Sequence, residues 1–590
     1  MTLAEILPPG QLQLWIIVAY LGALILLGLA SNRFFKGTAI DYFVASRGIG
    51  PVLLVLSVFG TTMTAFAIQG SSGEAWASGV GVYGKMASWS GIVHAACFFL
   101  IGIKLWSFGK RYGFQTQIQF FRERFESSGL GLVLFPALVL LQTPYIIIGI
   151  VGAGNMITVA TRGAFPELFA PTGGAVPFWL GTLLATGVVW LYISLGGARA
   201  TAWANALQTI IFLVVGVVTF WAIAERLGGF ARATQLVQEY NPSKLTRGVS
   251  AEHLRNYEEK LTSWRATTQP AAAPDGGPTA HTGVTRAAPA PPALKPHKPK
   301  EMTELEFLSY GFIPLSVAMF PHLFQLWLTA RSARTFRLTV TLHPVLIMLI
   351  WAPCVAIGIW ASSAMVDGRP VVPFTPEGSL QTGGPPPNPN QVIGLMVNML
   401  ANPIVSGLLA AGVLAAILGG MDAQFLCLGS MFTHDIVDHY VRHDRMTDRQ
   451  RLLTGRIFVI VVVLASWLLT LWLQAVRPIF GLAIWCFSGF AALFPLVFAA
   501  LYWKRCTKWG AYASVLAGIG LGAYYYVAMG LEHGFASRME PLVHLPGLGH
   551  EWRVVPAVPM TLAAALALIV VSLVTRRPSS ATIRKFFEPA

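Results

Sequence analysis

The feature that most limits how this chain can fold is a succession of apolar runs. Each approaches the roughly 20 residues a helix needs to cross a bilayer. About thirteen can be read, beginning near Leu12, Pro51, Met86, Gly131, Val176, Thr201, Phe307, Val340, Val392, Leu452, Pro478, Gly510 and Pro556. Backbone in lipid must satisfy its own hydrogen bonds, so runs of this length imply helices. The expected fold is an all-α, polytopic membrane protein of about thirteen transmembrane helices. Only 11% of the residues are charged, against roughly 25% in soluble domains. The net charge of +15 would point to nucleic acid in a soluble protein. Here the bilayer is the expected partner, because the basic residues fall in short loops. With the N-terminus outside, the cytoplasmic loops hold Arg33, Lys36 and Arg47, then Lys104 to Arg124, then Arg331 to Arg337. Arg442 to Arg451, Lys504 to Lys508 and the tail from Arg576 to Lys585 follow. This is the asymmetry of the positive-inside rule, and it leaves the C-terminus cytoplasmic in a multi-pass plasma-membrane protein. No basic residue precedes the first run, so no cleavable signal peptide is expected. The five cysteines are scattered and show neither disulfide nor metal-ligand spacing.

Two spans are interrupted. The second carries Gly60 followed by Thr61, Thr62 and Thr64, and the seventh carries Gly311, Pro314 and Ser316. Interrupted spans in corresponding positions mark an inverted-repeat transporter, since unwound backbone is tolerated in a membrane only where it lines a cavity. The chain then divides into a first repeat over 51–224, an external loop over 225–305 and a second repeat over 306–530. A terminal loop, last helix and tail occupy 531–590. The external loop is rich in Ala and Pro and is expected to be flexible.

Several separated segments resemble the sodium:solute symporter family. Asp41 to Arg47 (DYFVASR) is similar to its DYFLAGR stretch, and Gly70 to Trp76 with Gly79 to its GxPGxxY…G segment. Tyr192 to Gln208 resembles Y…GGxxAxxxTDxxQ, and Phe320-Pro321-His322 with Ala330-Arg331-Ser332 resembles PHxxxR…A+xS. Phe494-Pro495, Leu501 to Arg505 and Gly510-Ala511 resemble GPxxLxxLYWKRxTxxGA, and Leu414 to Val437 resembles the family's signature helix. The resemblance implies two inverted five-helix repeats with extra terminal helices, and a solute site near the bilayer midplane.

By motif position, the family's sodium-binding carbonyls fall on Gly60, Met63 and Ala416. Its two hydroxyl side chains fall on Gly419 and Gly420, which have none, and its acidic residue falls on Asn205. A dehydrated ion needs protein oxygens in place of its water shell. Each lost hydroxyl partner costs about 1–3 kcal/mol, so two cost about 2–6 kcal/mol, on the order of 30- to 10,000-fold in affinity. The expectation is weakened or altered sodium coupling: a proton, sodium at another site, or no coupling ion. The competing expectation keeps sodium, with Thr61, Thr62, Thr64 or Ser430 compensating. No other cofactor is expected.

Ionisable groups inside a membrane are functional by default. The proton candidates are Asp422, His322 and Glu74. His94 and His343 read as core histidines. A solute site lined by Thr61, Thr62, Thr64, Gln69, Gln142, Ser316, Trp485 and Ser488 suits a small polar or carboxylate-bearing molecule, whose anionic group a half-helix N-terminus can hold. The leading expectation is therefore a secondary-active solute transporter. An uncoupled facilitator or channel and a transporter-derived sensor are the alternatives. No phosphate loop, metal spacing or nucleophile elbow supports an enzyme.

Overall fold

The computed structural model describes residues 8–33, 37–247, 254–255, 257–259, 261–263, 302–366, 369–372, 388–443, 445–473, 479–533, 542–545 and 552–588. Among these, ten helices are long and apolar enough to cross a membrane, and two bent helix pairs raise the number to twelve. Helix α1 (Gln11–Asn32) leads through a short α2 (Ala39–Val44) to the first bent pair. That pair is α3 (Pro51–Thr62), a π-turn at Phe66–Gly70, and α4 (Ser71–Ser78). Next come α5 (Trp89–Tyr112), the short α6 (Gln117–Phe125), α7 (Ser128–Ala160) and α8 (Phe178–Arg226). After α9 (Phe230–Tyr240), the second pair joins α10 (Glu304–Ala318) to α11 (Pro321–Leu328). The long helices that follow are α12 (Phe336–Ala361), α13 (Pro403–Met431), α14 (Asp448–Trp472), α15 (Ile479–Ala492), α16 (Lys508–His533) and α17 (Ala557–Val574), with shorter ones at Val392–Leu400, at Phe494–Tyr502 and in the tail, α18 (Ser580–Phe587).

The two breaks have different chemical causes. Pro321 begins α11 and holds Phe320 extended (φ −63°, ψ 116°), as a residue before proline is biased to be. This bends α10 against α11 by 50°. The first break contains no proline. Thr62 turns its hydroxyl back to Phe59 O (2.8 Å), Thr61 donates to Gly419 O on α13 (3.3 Å), and Met63 leaves the helical region (ψ 95°). Hydroxyls that compete for backbone groups are a known way to end a helix. The resulting bend is 55°.

Helix α8 would be about 70 Å long if straight, more than twice the hydrocarbon thickness. Gly197 interrupts it with φ 54° and ψ −145°, so two spans are continuous in sequence but not in direction. Counted as two, this element brings the spans to the number read from the apolar runs. The stretch read as a loop from 225 opens with the helix α9, and Lys244 O beyond it accepts from Val80 N (2.8 Å). Its Ala/Pro-rich part lies outside the described residues.

Large apolar side chains that remain exposed, among them Leu26, Trp221 and Val574, sit on spanning helices and face the region of lipid. The interior is filled by Tyr42, Phe59, Tyr192, Trp327 and their neighbours. A Cβ at Gly197 would lie 2.6 Å from Tyr42 Cδ2 as well as in left-handed backbone. We expect Gly197→Ala to cost about 1–3 kcal/mol, read as a lower midpoint of thermal unfolding in detergent.

Candidate ion and solute site

The site is organised where α13 passes between the first broken helix and α8. A Cβ on Gly419 would lie 2.7 Å from Asn205 Oδ1, 2.9 Å from Gln208 Oε1 and 3.6 Å from Gly60 O. A Cβ on Gly420 would lie 2.7 Å from Thr64 Cγ2 and 3.4 Å from Thr61 O. The room that hydroxyl side chains would need is therefore already taken by two amide oxygens and a threonine methyl. Asn205 Oδ1 and Gln208 Oε1 are buried and accept no hydrogen bond among the described residues. Asn205 and Gln208 share a helix face because they are three residues apart.

Asp422 follows the glycine pair on α13 and is fully buried. Its Oδ2 accepts from the Tyr192 hydroxyl (2.8 Å) and its Oδ1 from Asn205 Nδ2 (3.2 Å). The same Nδ2 also donates to Thr61 Oγ1 (3.1 Å), and Gln208 Nε2 donates to Tyr20 OH (3.3 Å). These described partners of the carboxylate are neutral. Tyr192 and Asn205 would be about 20 Å apart along a straight helix. Both reach one carboxylate only because the chain turns at Gly197 between them.

Between the two breaks lies a ring of aromatic groups. Tyr145 of α7 packs on His322 (5.6 Å between ring centroids), Phe320 (5.3 Å) and Phe487 of α15 (5.0 Å). Phe66, in the π-turn, packs edge-on against Phe487 (5.1 Å). Polar groups reach the same region without being satisfied. Both amide atoms of Gln142, one turn before Tyr145, and both ring nitrogens of His322 are buried and lack hydrogen-bond partners among the described residues. Gln69 donates to Gly152 O (3.0 Å), but its Oε1 has no partner among the described residues.

Of the ion-site residues read from the sequence, Gly60, Asn205, Gly419 and Gly420 converge, together with Thr61 and Thr64. Met63 ends α3 with its N–H on Phe59 O (3.0 Å), and Ala416 is buried one turn before Gly420. Of the solute candidates, Gln69 and Gln142 flank the central ring, and Ser316 is buried in the turn before the second break. Others are directed elsewhere. Thr62 bonds Phe59 O, Ser488 bonds Ile484 O within its own helix (2.7 Å), and Trp485 packs against Tyr526 (5.9 Å). Glu74 accepts from Ser78 (2.8 Å) at the far end of α4.

This arrangement of two broken helices around a buried polar centre defines a helical, multi-pass membrane transporter built on inverted repeats. The chain matches the sodium:solute symporter family over residues 42–518 and belongs to it. It is 22% identical to the osmoregulated proline transporter OpuE of Bacillus subtilis, over 92% of this chain and 92% of the relative. It is also 22% identical to the sodium/proline symporter of Escherichia coli, over 96% and 94%. Among solved structures it resembles a substrate-bound, outward-open sodium-coupled sialic acid symporter (TM-score 0.65, 14% identity, 96% of this chain and 99% of the other). The protein is thus a secondary transporter of small-molecule solutes and not an enzyme.

Sequence reasoning assigned no role to Tyr192, Gln208 or Tyr20. Gln208 was recoverable from its spacing to Asn205. Tyr192 stands in the same motif, but its contact with Asp422 depends on the turn at Gly197, and Tyr20 lies on α1, ahead of the first broken helix. Tyr192→Phe leaves Asp422 Oδ2 without its donor, which we expect to cost about 1–3 kcal/mol. Thermal unfolding of Tyr192→Phe, Asp422→Asn and the double variant should show non-additive losses, as side chains in one network do.

Proposed function

We propose that this transporter couples a proton, carried by Asp422, to the movement of a compact zwitterion of the proline class across the plasma membrane. The N-terminus would be outside and the C-terminus cytoplasmic. The observation that carries the coupling reading is a fully buried carboxylate whose described partners are neutral, next to a sodium position that has glycines for hydroxyls. An ionised carboxylate in a low-dielectric interior without a counter-charge costs several kcal/mol. Taking up a proton from one side and releasing it to the other relieves and restores that cost, and the breaks give the cycle something to move.

The solute reading rests on the central ring. Aromatic faces attract an ammonium group, the unpaired Gln142 amide can hydrogen-bond a carboxylate or its ammonium, and the N-terminus of α11 favours an anion. The similar transporters named for proline point to the same class. The finer choice among compact zwitterions falls to competition assays.

A second reading has its own observation. Asn205 Oδ1 and Gln208 Oε1 lack hydrogen-bond partners among the described residues and lie near Gly60 O, a set that suits a hard cation. In that case sodium coupling persists on amide oxygens in place of hydroxyls. Purified protein in proteoliposomes separates the readings. We expect an imposed inward pH gradient to drive proline accumulation and an imposed sodium gradient at equal pH to drive none. Asp422→Asn should lower pH-driven accumulation about tenfold while proline exchange at equal pH persists. Accumulation driven by sodium alone establishes the second reading, and equilibration without accumulation under either gradient establishes an uncoupled facilitator.

A further inference from the structure

Three consecutive non-glycine residues, Ala45, Ser46 and Arg47, hold left-handed backbone, with φ of 48°, 51° and 55°. Side chains disfavour this region, and a run of it persists only where surrounding contacts impose it. The run joins the short helix α2 to the first broken helix, so what α2 touches shows what the strain maintains.

α2 is fastened on every side. Arg199 Nη2 donates to Asp41 Oδ1 (2.7 Å), and Ser46 Oγ donates to the same oxygen (2.7 Å). Tyr42 OH donates to Ile193 O (3.2 Å), and its ring occupies the space left by the missing side chain of Gly197. Gln325 Nε2 of α11 donates to Phe43 O (2.7 Å). The Phe43 ring rests edge-on against His434 (5.1 Å) and fits beside Gly455, where a Cβ would lie 2.8 Å from its Cζ. Beyond the strained run, Ile49 N donates to Thr329 O (3.0 Å) and Arg331 N to Ile49 O (2.9 Å), tying the hinge to the end of α11.

Phe43 also closes something. A small cavity lies behind it, lined by Thr201, His322, Gln325, Thr329 and Ala423. His322 and Thr201 both line it, and neither the His322 ring nitrogens nor the Thr201 hydroxyl has a hydrogen-bond partner among the described residues. His322, a member of the central ring, and Ala423, the chain neighbour of Asp422, line it at one side, and Thr329 lines it two residues before Arg331 of the basic loop.

We propose that α2 is the plug of the pathway on the basic-loop face. Phe43 closes off the small cavity that Thr201, Gln325 and His322 line, the Asp41–Arg199 pair and the Gln325 hydrogen bond latch it, and Ala45–Arg47 is a strained hinge that relaxes when it opens. The proposal rests on the transporter reading but on neither choice of coupling ion. Opening exposes Thr201, Gln325 and His322 to water, giving solute and ion a polar exit that is sealed when the plug is seated.

The test is the rate at which a membrane-impermeant maleimide labels Thr201→Cys in lipid nanodiscs, where both faces are accessible and no gradient or solute is needed. The native cysteines described here are buried and set the baseline. Adding Arg199→Gln removes half of the latch and should speed labelling about tenfold. Adding Ala45→Gly instead removes strain from the seated plug and should slow it about fivefold; both changes follow from the tenfold-per-1.4 kcal/mol relation. The second variant adds no buried bulk and removes no hydrogen bond, so it keeps the test informative where the first folds poorly. Slower labelling in Ala45→Gly, with faster labelling in any Arg199→Gln that folds, supports the plug. Any other pattern overturns it, and because no transport is measured, a failed coupling reading leaves this result standing.

Discussion

A polar backbone group inside a bilayer has no water to turn to, and this constraint governs the rest of the structure. Each helix break releases N–H and C=O groups that the protein itself must satisfy or aim into a cavity. At the first break the hydroxyls of Thr61 and Thr62 take over carbonyls on α13 and α3. At the second, Pro321 contributes no N–H, and the preceding turn tightens to 3-10 geometry over Tyr310–Ala318. The breaks are therefore tolerated only because α7, α8, α13 and α15 surround them. That enclosure also creates a polar centre screened from lipid.

Within the enclosure, glycines set how closely the helices approach. Gly419 and Gly420 bring α13 close enough for Asn205, Gln208 and Thr64 to occupy the places where hydroxyl side chains would stand. The oxygens near this point thus come from amides on α8 instead of hydroxyls on α13. The carboxylate of Asp422 is held by the same Asn205 and by Tyr192. The first broken helix, α8 and α13 are thereby joined in one hydrogen-bonded unit, and a change in the charge of Asp422 must be felt by the hydrogen bond from Asn205 to Thr61 at the break.

Much of this was legible from the residues alone. Apolar runs of about 20 residues dictate helices because a single segment of that length satisfies its own backbone in lipid only as a helix, whereas a barrel strand needs only about ten residues. The Gly, Pro and Thr residues at Gly60–Thr64 and Gly311–Ser316 marked where two of them break. The convergence of Gly60, Asn205, Gly419 and Gly420 was expected from motif position, and Asp422 from being an acid within a span. Trp485 and Ser488 show the opposite case. Their composition suited a polar pocket, but helical phase and local hydrogen bonding turned them to Tyr526 and Ile484 O.

Sequence by itself determined the number and kind of spans, the sites of interruption and the presence of glycine at Gly419 and Gly420, where the family's motif carries hydroxyls, because these depend on local chemistry and on the one-dimensional length of apolar runs. Tertiary structure alone decided what replaced those hydroxyls and what faces Asp422. Those outcomes depend on a reversal at a single glycine, Gly197, and on helix separations of a few ångströms. Such quantities arise from packing between segments hundreds of residues apart, and no local pattern encodes them.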